Sequence, residues 1–133
     1  MKIILFLALC LNCNAMDWWA LHQVEGAPRP DQIGVTGDLG AFQISAPVWR
    51  QFAKSGEKWF IEADNRAVAE RVMAYRQNHY KAVPAPLGWR QNDFRDALLW
   101  KCPGRLKSPS KTDLDFARRY ANLCERKLKE TSQ

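Results

Sequence analysis

Apolar positions recur every three or four residues along most of this chain. That spacing predicts helices joined by loops rich in proline and glycine. The first helix begins after Asp17, a capping residue, and puts Trp18, Leu21 and Glu25 on one face before Gly26 stops it. From Ala27 to Gly40 the chain reads as loop or a small hairpin. Ser45 is placed to cap a second helix, with Pro47 in its first turn, running through Trp49 and Phe52 to Gly56. A third starts at Asp64 or Asn65 and turns Val68, Val72 and Tyr75 inward. Pro84, Pro86 and Gly88 break the pattern before Trp89, and Asp93 then caps a helix carrying Phe94, Ala97 and Leu98 that stops at Pro103-Gly104. The last helix has the clearest stripe, Leu114, Ala117, Ala121, Cys124 and Leu128, with Thr112 and Asp115 spaced as a capping box. The pattern predicts a mainly α, single-domain fold with at most a small β element near Gly34–Phe42.

Composition agrees. A chain of 133 residues that is 47% hydrophobic, with six Trp and six Phe, can build one core and has no room for a second domain. Residues 1–15 stand apart: a basic start at Lys2, an apolar run Ile3–Leu11, and small or polar residues up to Ala15. That is the layout of a signal peptide, with a domain over 16–133 and export to the periplasm or the exterior. The run is far shorter than the roughly 20 apolar residues of a membrane span. Neither Cys10 nor Cys13 follows a small residue, which argues against lipidation. Without the leader, Cys102 and Cys124 remain. An even pair in an oxidising compartment suggests a disulfide between them, and two buried free thiols are the alternative. The formal charge of +6 suits an anionic polymer, whether a bacterial wall or nucleic acid, and does not choose between them.

Chemistry enters with Glu25. A carboxyl at a helix end among aromatic side chains holds its proton more tightly than a free one, as a general acid must. Gly37-Asp-Leu-Gly-Ala-Phe-Gln-Ile-Ser45 follows within twenty residues and could fold over it as the wall of a sugar cleft. His22 lies one turn before Glu25, but a helix histidine facing core or solvent is the commoner case. Trp89, in a Pro/Gly-rich loop, is the best-placed ring for stacking on a sugar, whereas Trp18, Trp49 and Trp59 suit a core. The two histidines and two remaining cysteines show no ligand spacing, and no phosphate loop or Gly-x-Ser-x-Gly elbow is present, so no metal or cofactor is expected.

These residues resemble a known pattern. Glu25, Gly37-Asp-Leu-Gly40 and Ala41-Phe42-Gln43-Ile44 stand where the lysozyme superfamily places its acid, a Gly-x-x-Gly turn and Leu-Met-Gln-Ile. The likeness is closest to the single-domain lytic transglycosylases of bacteria and their phages. Trp100-Lys101-Cys102-Pro103-Gly104 resembles that family's Tyr-Asn-Ala-Gly, and Tyr120 resembles its cleft-facing Tyr on the final helix. The chain departs from the pattern at Gly26, where Ser is usual, at Lys101 in place of Asn, and at Cys102 in place of Ala.

The resemblance implies a lysozyme-like fold and cleavage of the β-1,4 bond between N-acetylmuramic acid and N-acetylglucosamine in peptidoglycan. Glu25 would be general acid and base, closing a 1,6-anhydro ring without water. Gln43, Ile44, Trp100, Tyr120 and Trp89 are the candidate substrate contacts. Asp38 is a possible second carboxylate for a lysozyme-type hydrolase, which needs two flanking carboxyls. We expect it instead to shape its loop, more than about 10 Å from Glu25 and so outside the range two-carboxylate hydrolysis uses. Peptidoglycan strands are the expected partner of a monomer, with no nucleic acid and no membrane span. Two other classes remain open: a glycan-binding module with no activity, and a basic protein that binds anionic polymers, nucleic acid included.

Overall fold

A computed structural model describes residues 16–81 and 83–133. The proposed leader, with Cys10 and Cys13, lies outside the described residues. Among the described residues five α-helices carry the fold: α1 (Trp18–Val24), α2 (Ala46–Phe52), α3 (Glu62–His79), α4 (Gln91–Lys101) and α5 (Lys111–Thr131). A single 3-10 turn, Pro103–Arg105, joins the last two. The fold is mainly α. Its β content among the described residues is two antiparallel bridges, Ile33 with Leu39 and Leu39 with Ile44, which straddle both edges of the stretch Gly34–Phe42 where a small β element was expected. No helix among the described residues is long and apolar enough to cross a membrane.

α4 and α5 pack most extensively, α1 lies on α5, and α3 bridges α4 and α2. Ala20, Ala69, Ala97 and Ala117 are fully buried, and such small side chains let helices approach closely. Leu21, Val68, Val72, Leu98 and Leu99 fill the space between them, each at most 1% exposed. Burial of each such side chain contributes roughly 1.5–3 kcal/mol. Asp17 caps α1 by accepting from the Ala20 N–H at 3.0 Å, as its position before the apolar run requires. Arg71 of α3 holds Glu57 with a two-pronged ion pair and donates to the Phe52 carbonyl at 2.7 Å, which fixes the end of α2.

The sequence pattern needs correction at several points. α2 stops at Phe52, short of Gly56. α3 begins at Glu62, and Tyr75 turns outward, 40% exposed and stacked on His79, because Val68, Val72 and Met73 already fill the inner face. Asp93 sits inside the first turn of α4 as the partner of Arg90. The capping box of α5 is Ser110 with Asp113, two residues before the expected pair. The same Asp113 carboxylate takes both prongs of Arg105, so one side chain satisfies a helix end and a cation together. The buried stripe of α5 is Asp113, Phe116, Ala117, Tyr120 and Cys124. Leu114 and Leu128 are exposed, since the two large rings set the rotation of the helix.

The expected disulfide is absent: Cys102 and Cys124 are both buried free thiols. Cys102 meets α5 at Asp113, whereas Cys124 lies eleven residues further along, against Tyr120. At 1.5 Å per residue that offset is about 16 Å, far beyond the Cα separation a bridge tolerates. Burial raises the Cys102 thiol to about 11 and the Cys124 thiol to about 12. The form that begins at Met16 should therefore give two thiols per chain with a thiol reagent, and only after denaturation. A titre near zero in denaturant would restore the bridge.

Candidate active site

Glu25 is the C-cap of α1, and local chemistry puts it there. Gly26 adopts φ +89°, so its N–H and that of Ala27 fold back onto the carbonyls of Gln23 (3.0 Å) and His22 (2.8 Å). This is the Schellman stop, and it ends the helix sharply beneath the acid. The serine usual after the acid in the resembling family would be strained at that φ, so the departure at Gly26 serves the helix end. His22 is occupied elsewhere: its Nε2 donates to the Pro28 carbonyl at 2.9 Å.

The loop opposite is fastened by contacts the sequence pattern does not show. Leu39 and Ile44 exchange backbone hydrogen bonds of 2.7 and 3.0 Å around the turn Gly40–Gln43. Asn65 of α3, fully buried, locks that turn. Its Oδ1 accepts from the Phe42 N–H at 3.0 Å, and its Nδ2 donates to the carbonyls of Leu39 and Trp59, each at 3.1 Å. Gln43 sits at φ +52° and donates to the Gly40 carbonyl at 2.9 Å, so it pins the loop as well as lining the cleft.

An open cavity of about 190 Å³ results. It brings together five of the expected site residues, Glu25, Asp38, Gln43, Ile44 and Trp100, with Ser45, Val48, Val72, Arg76, Lys101 and Pro103. Trp100 Nε1 donates to Glu25 Oε1 at 3.1 Å, which fixes the carboxyl's direction. Burial pushes Glu25 above the ordinary glutamate range. The Trp100 hydrogen bond, Lys101 and Arg119 pull the other way, and the Asp38 charge adds to the rise. The carboxyl also stands at the negative end of α1, where a second negative charge is disfavoured. The result is an oriented carboxyl, half-buried at an open cleft, that keeps its proton to higher pH than a free glutamate.

Asp38 accepts the Thr36 hydroxyl within its own loop at 2.9 Å. It is also an electrostatic neighbour of the acid and a wall of the same cavity. Tyr120 does not face the cleft. It is 1% exposed, and its hydroxyl accepts from the Asp17 N–H at 2.8 Å, tying α5 to the start of α1. The inner face of α5 looks at α1 there, so this Tyr is a core residue. Trp89 is not a sugar platform in this cavity either. It is half-buried, edge-on to Phe94 at 5.5 Å, with the Arg118 guanidinium 4.8 Å over its ring.

Two residues of the site were not foreseen. Arg76 is half-buried, donates to the carbonyls of Leu99 (2.9 Å) and Trp100 (2.8 Å), and so caps the end of α4 that carries Trp100. Asn65 was read only as a helix start. The available signal was an amide in register with Val68, Ala69 and Val72, where a polar group must find buried partners. Among the described residues no three His, Cys, Asp or Glu gather to hold a metal ion. Comparison with known proteins adds no relative: no family model, no curated protein and no solved structure matches the chain.

Proposed function

We propose that this protein is an exported, monomeric, lysozyme-like enzyme that cleaves the β-1,4 bond between N-acetylmuramic acid and N-acetylglucosamine in peptidoglycan. One observation carries the reading: Glu25 is raised by burial and aimed into an open cleft by the Trp100 indole. A protonated carboxyl there can donate to the glycosidic oxygen as the bond breaks. In the transglycosylase course, the resulting Glu25 carboxylate takes the proton of the muramyl C6 hydroxyl, whose oxygen attacks C1 and closes the 1,6-anhydro ring. Water is not consumed, and one carboxyl suffices.

Asp38 favours a second course, hydrolysis, because it faces the same cavity. There it would hold a water or attack C1 itself, as the second carboxylate of a glycosidase does. Mass spectrometry of products from purified peptidoglycan separates the two: anhydro ends mark the first, reducing ends the second. Absence of cleavage would overturn both. Asp38→Asn supplies the complementary test. Removing its charge lowers Glu25, so the alkaline limb of the pH–rate profile should move to lower pH. In the one-carboxylate course most activity remains at the optimum. A loss of about a hundredfold or more would make Asp38 a reacting group.

A further inference from the structure

Three cations, Arg76, Lys101 and Arg105, stand at the end of α4, and they are differently engaged. Arg105 is neutralised by both oxygens of Asp113. Arg76 is committed to two carbonyls and lies 5.9 Å over the Trp100 ring. Lys101 and Arg119 have no acidic partner within ion-pair distance among the described residues. Lys101 is exposed, lines the cavity beside Glu25, and rests its Nζ 5.2 Å from the Phe116 ring. A ring face positions an ammonium without cancelling its charge. Arg119, exposed on α5, is near enough for its charge to act on the same carboxyl.

An unneutralised cation beside a general acid has an awkward electrostatic effect. It favours the ionised carboxyl, which is the wrong state for donating a proton, and Lys101 does lower Glu25. A neutral glycan bound in the cleft would leave that opposition in place. A glycan carrying a carboxylate would neutralise Lys101 and so remove its pull on the acid.

We infer that Lys101 is an anion subsite that selects glycan chains bearing carboxylates next to the scissile bond. The inference rests on the glycan-cleaving reading and deepens it by naming the substrate class. The carboxylate has two possible sources on a wall glycan: the lactyl group where the stem peptide has been removed, and the peptide's own acidic groups. Both present the same chemistry to an ammonium group.

The test compares kcat/KM on glycan with intact stem peptides and on peptide-stripped glycan. Each is measured before and after its carboxylates are converted to methylamides. The wild-type protein should prefer the carboxylated form by up to about fivefold, the upper end of what an exposed ion pair contributes. The preference should weaken as salt rises. Lys101→Met should bring the ratio close to one, and Lys101→Arg should keep it. A preference seen on stripped glycan identifies the lactyl group, and one seen on intact glycan alone identifies the peptide. Lys101→Met also removes the pull on Glu25, so each ratio is read on the acidic plateau of the pH–rate profile. There Glu25 is protonated with every substrate, and the ratio reports recognition alone. A Lys101→Met ratio equal to that of the wild type would overturn the inference while cleavage itself stands. No cleavage of any substrate would overturn the glycan-cleaving reading and the subsite together.

Discussion

Glu25→Gln should abolish wall lysis while the folded protein becomes more stable at neutral pH. The first half follows from the proton. Glutamine keeps the size of the side chain and can still accept from Trp100 Nε1, but it has no proton to donate to a leaving oxygen. General acid–base catalysis contributes about 10²–10⁴-fold, so the rate should fall by at least about a hundredfold. The second half follows from linkage. Burial raises Glu25 above its unfolded value, so its contribution to stability is fully present at low pH and is lost as pH rises through the folded pKa. The neutral amide escapes that loss. The melting temperature of Glu25→Gln should therefore exceed that of the wild type at neutral pH and converge with it in acid. Lysis at the wild-type rate by a folded Glu25→Gln protein would falsify the enzymatic reading. An unchanged difference in melting temperature across pH would mean that Glu25 is not held protonated by burial.

Gly40→Ala should be the most damaging small substitution in the cleft loop. Gly40 adopts φ +76°, where a Cβ is strained, and the position is enclosed. An added Cβ would meet the Trp59 carbonyl at 2.5 Å and press on the Asn65 amide. A backbone oxygen cannot step aside, and Asn65 cannot move without releasing Phe42, Leu39 and Trp59 together. Strain and overpacking of these kinds cost about 1–3 kcal/mol each, so a loss of about 3 kcal/mol or more is expected. For a domain of this size that lowers the melting temperature by about 10 °C or more. Gly56→Ala is the control. Gly56 has a similar φ of +87° with nothing within 4 Å of an added Cβ, so it carries the strain alone, about 1–2 kcal/mol. Chemical denaturation of the two variants measures the difference. Equal losses would show that the loop does not depend on its close approach to Asn65.

Much of the fold was legible because it is local. Asp17, Gly26 and Pro47 act within one turn of where they stand, and the apolar spacing of Val68 and Val72 needs no partner to be read. The helix end at Glu25 was legible for the same reason, since its glycine stop stands beside it, whereas its candidacy as an acid came from the resemblance carried by Gly37–Ile44. Where local signals competed, the reading slipped. Ser110 with Asp113 and Thr112 with Asp115 have the same spacing, and only Arg105 distinguishes them by adding an ion pair to Asp113. Leu114 and Leu128 fit the stripe of α5 as well as Phe116 does, and the volume of Phe116 and Tyr120 decides which face is buried.

The sequence by itself therefore determined the helices, the sharp end beneath Glu25, and the presence of a glycine-rich loop after it. Only the tertiary structure decided what those pieces meet. Trp100 reaches Glu25 from 75 positions away, and Asn65 fastens a turn that ends more than twenty residues earlier. Tyr120 faces α1 rather than the cleft, and Cys102 meets α5 at Asp113, far along the helix from Cys124. Periodicity says which residues share a face. It cannot say which other face lies opposite, because that depends on the angle and register at which whole helices pack.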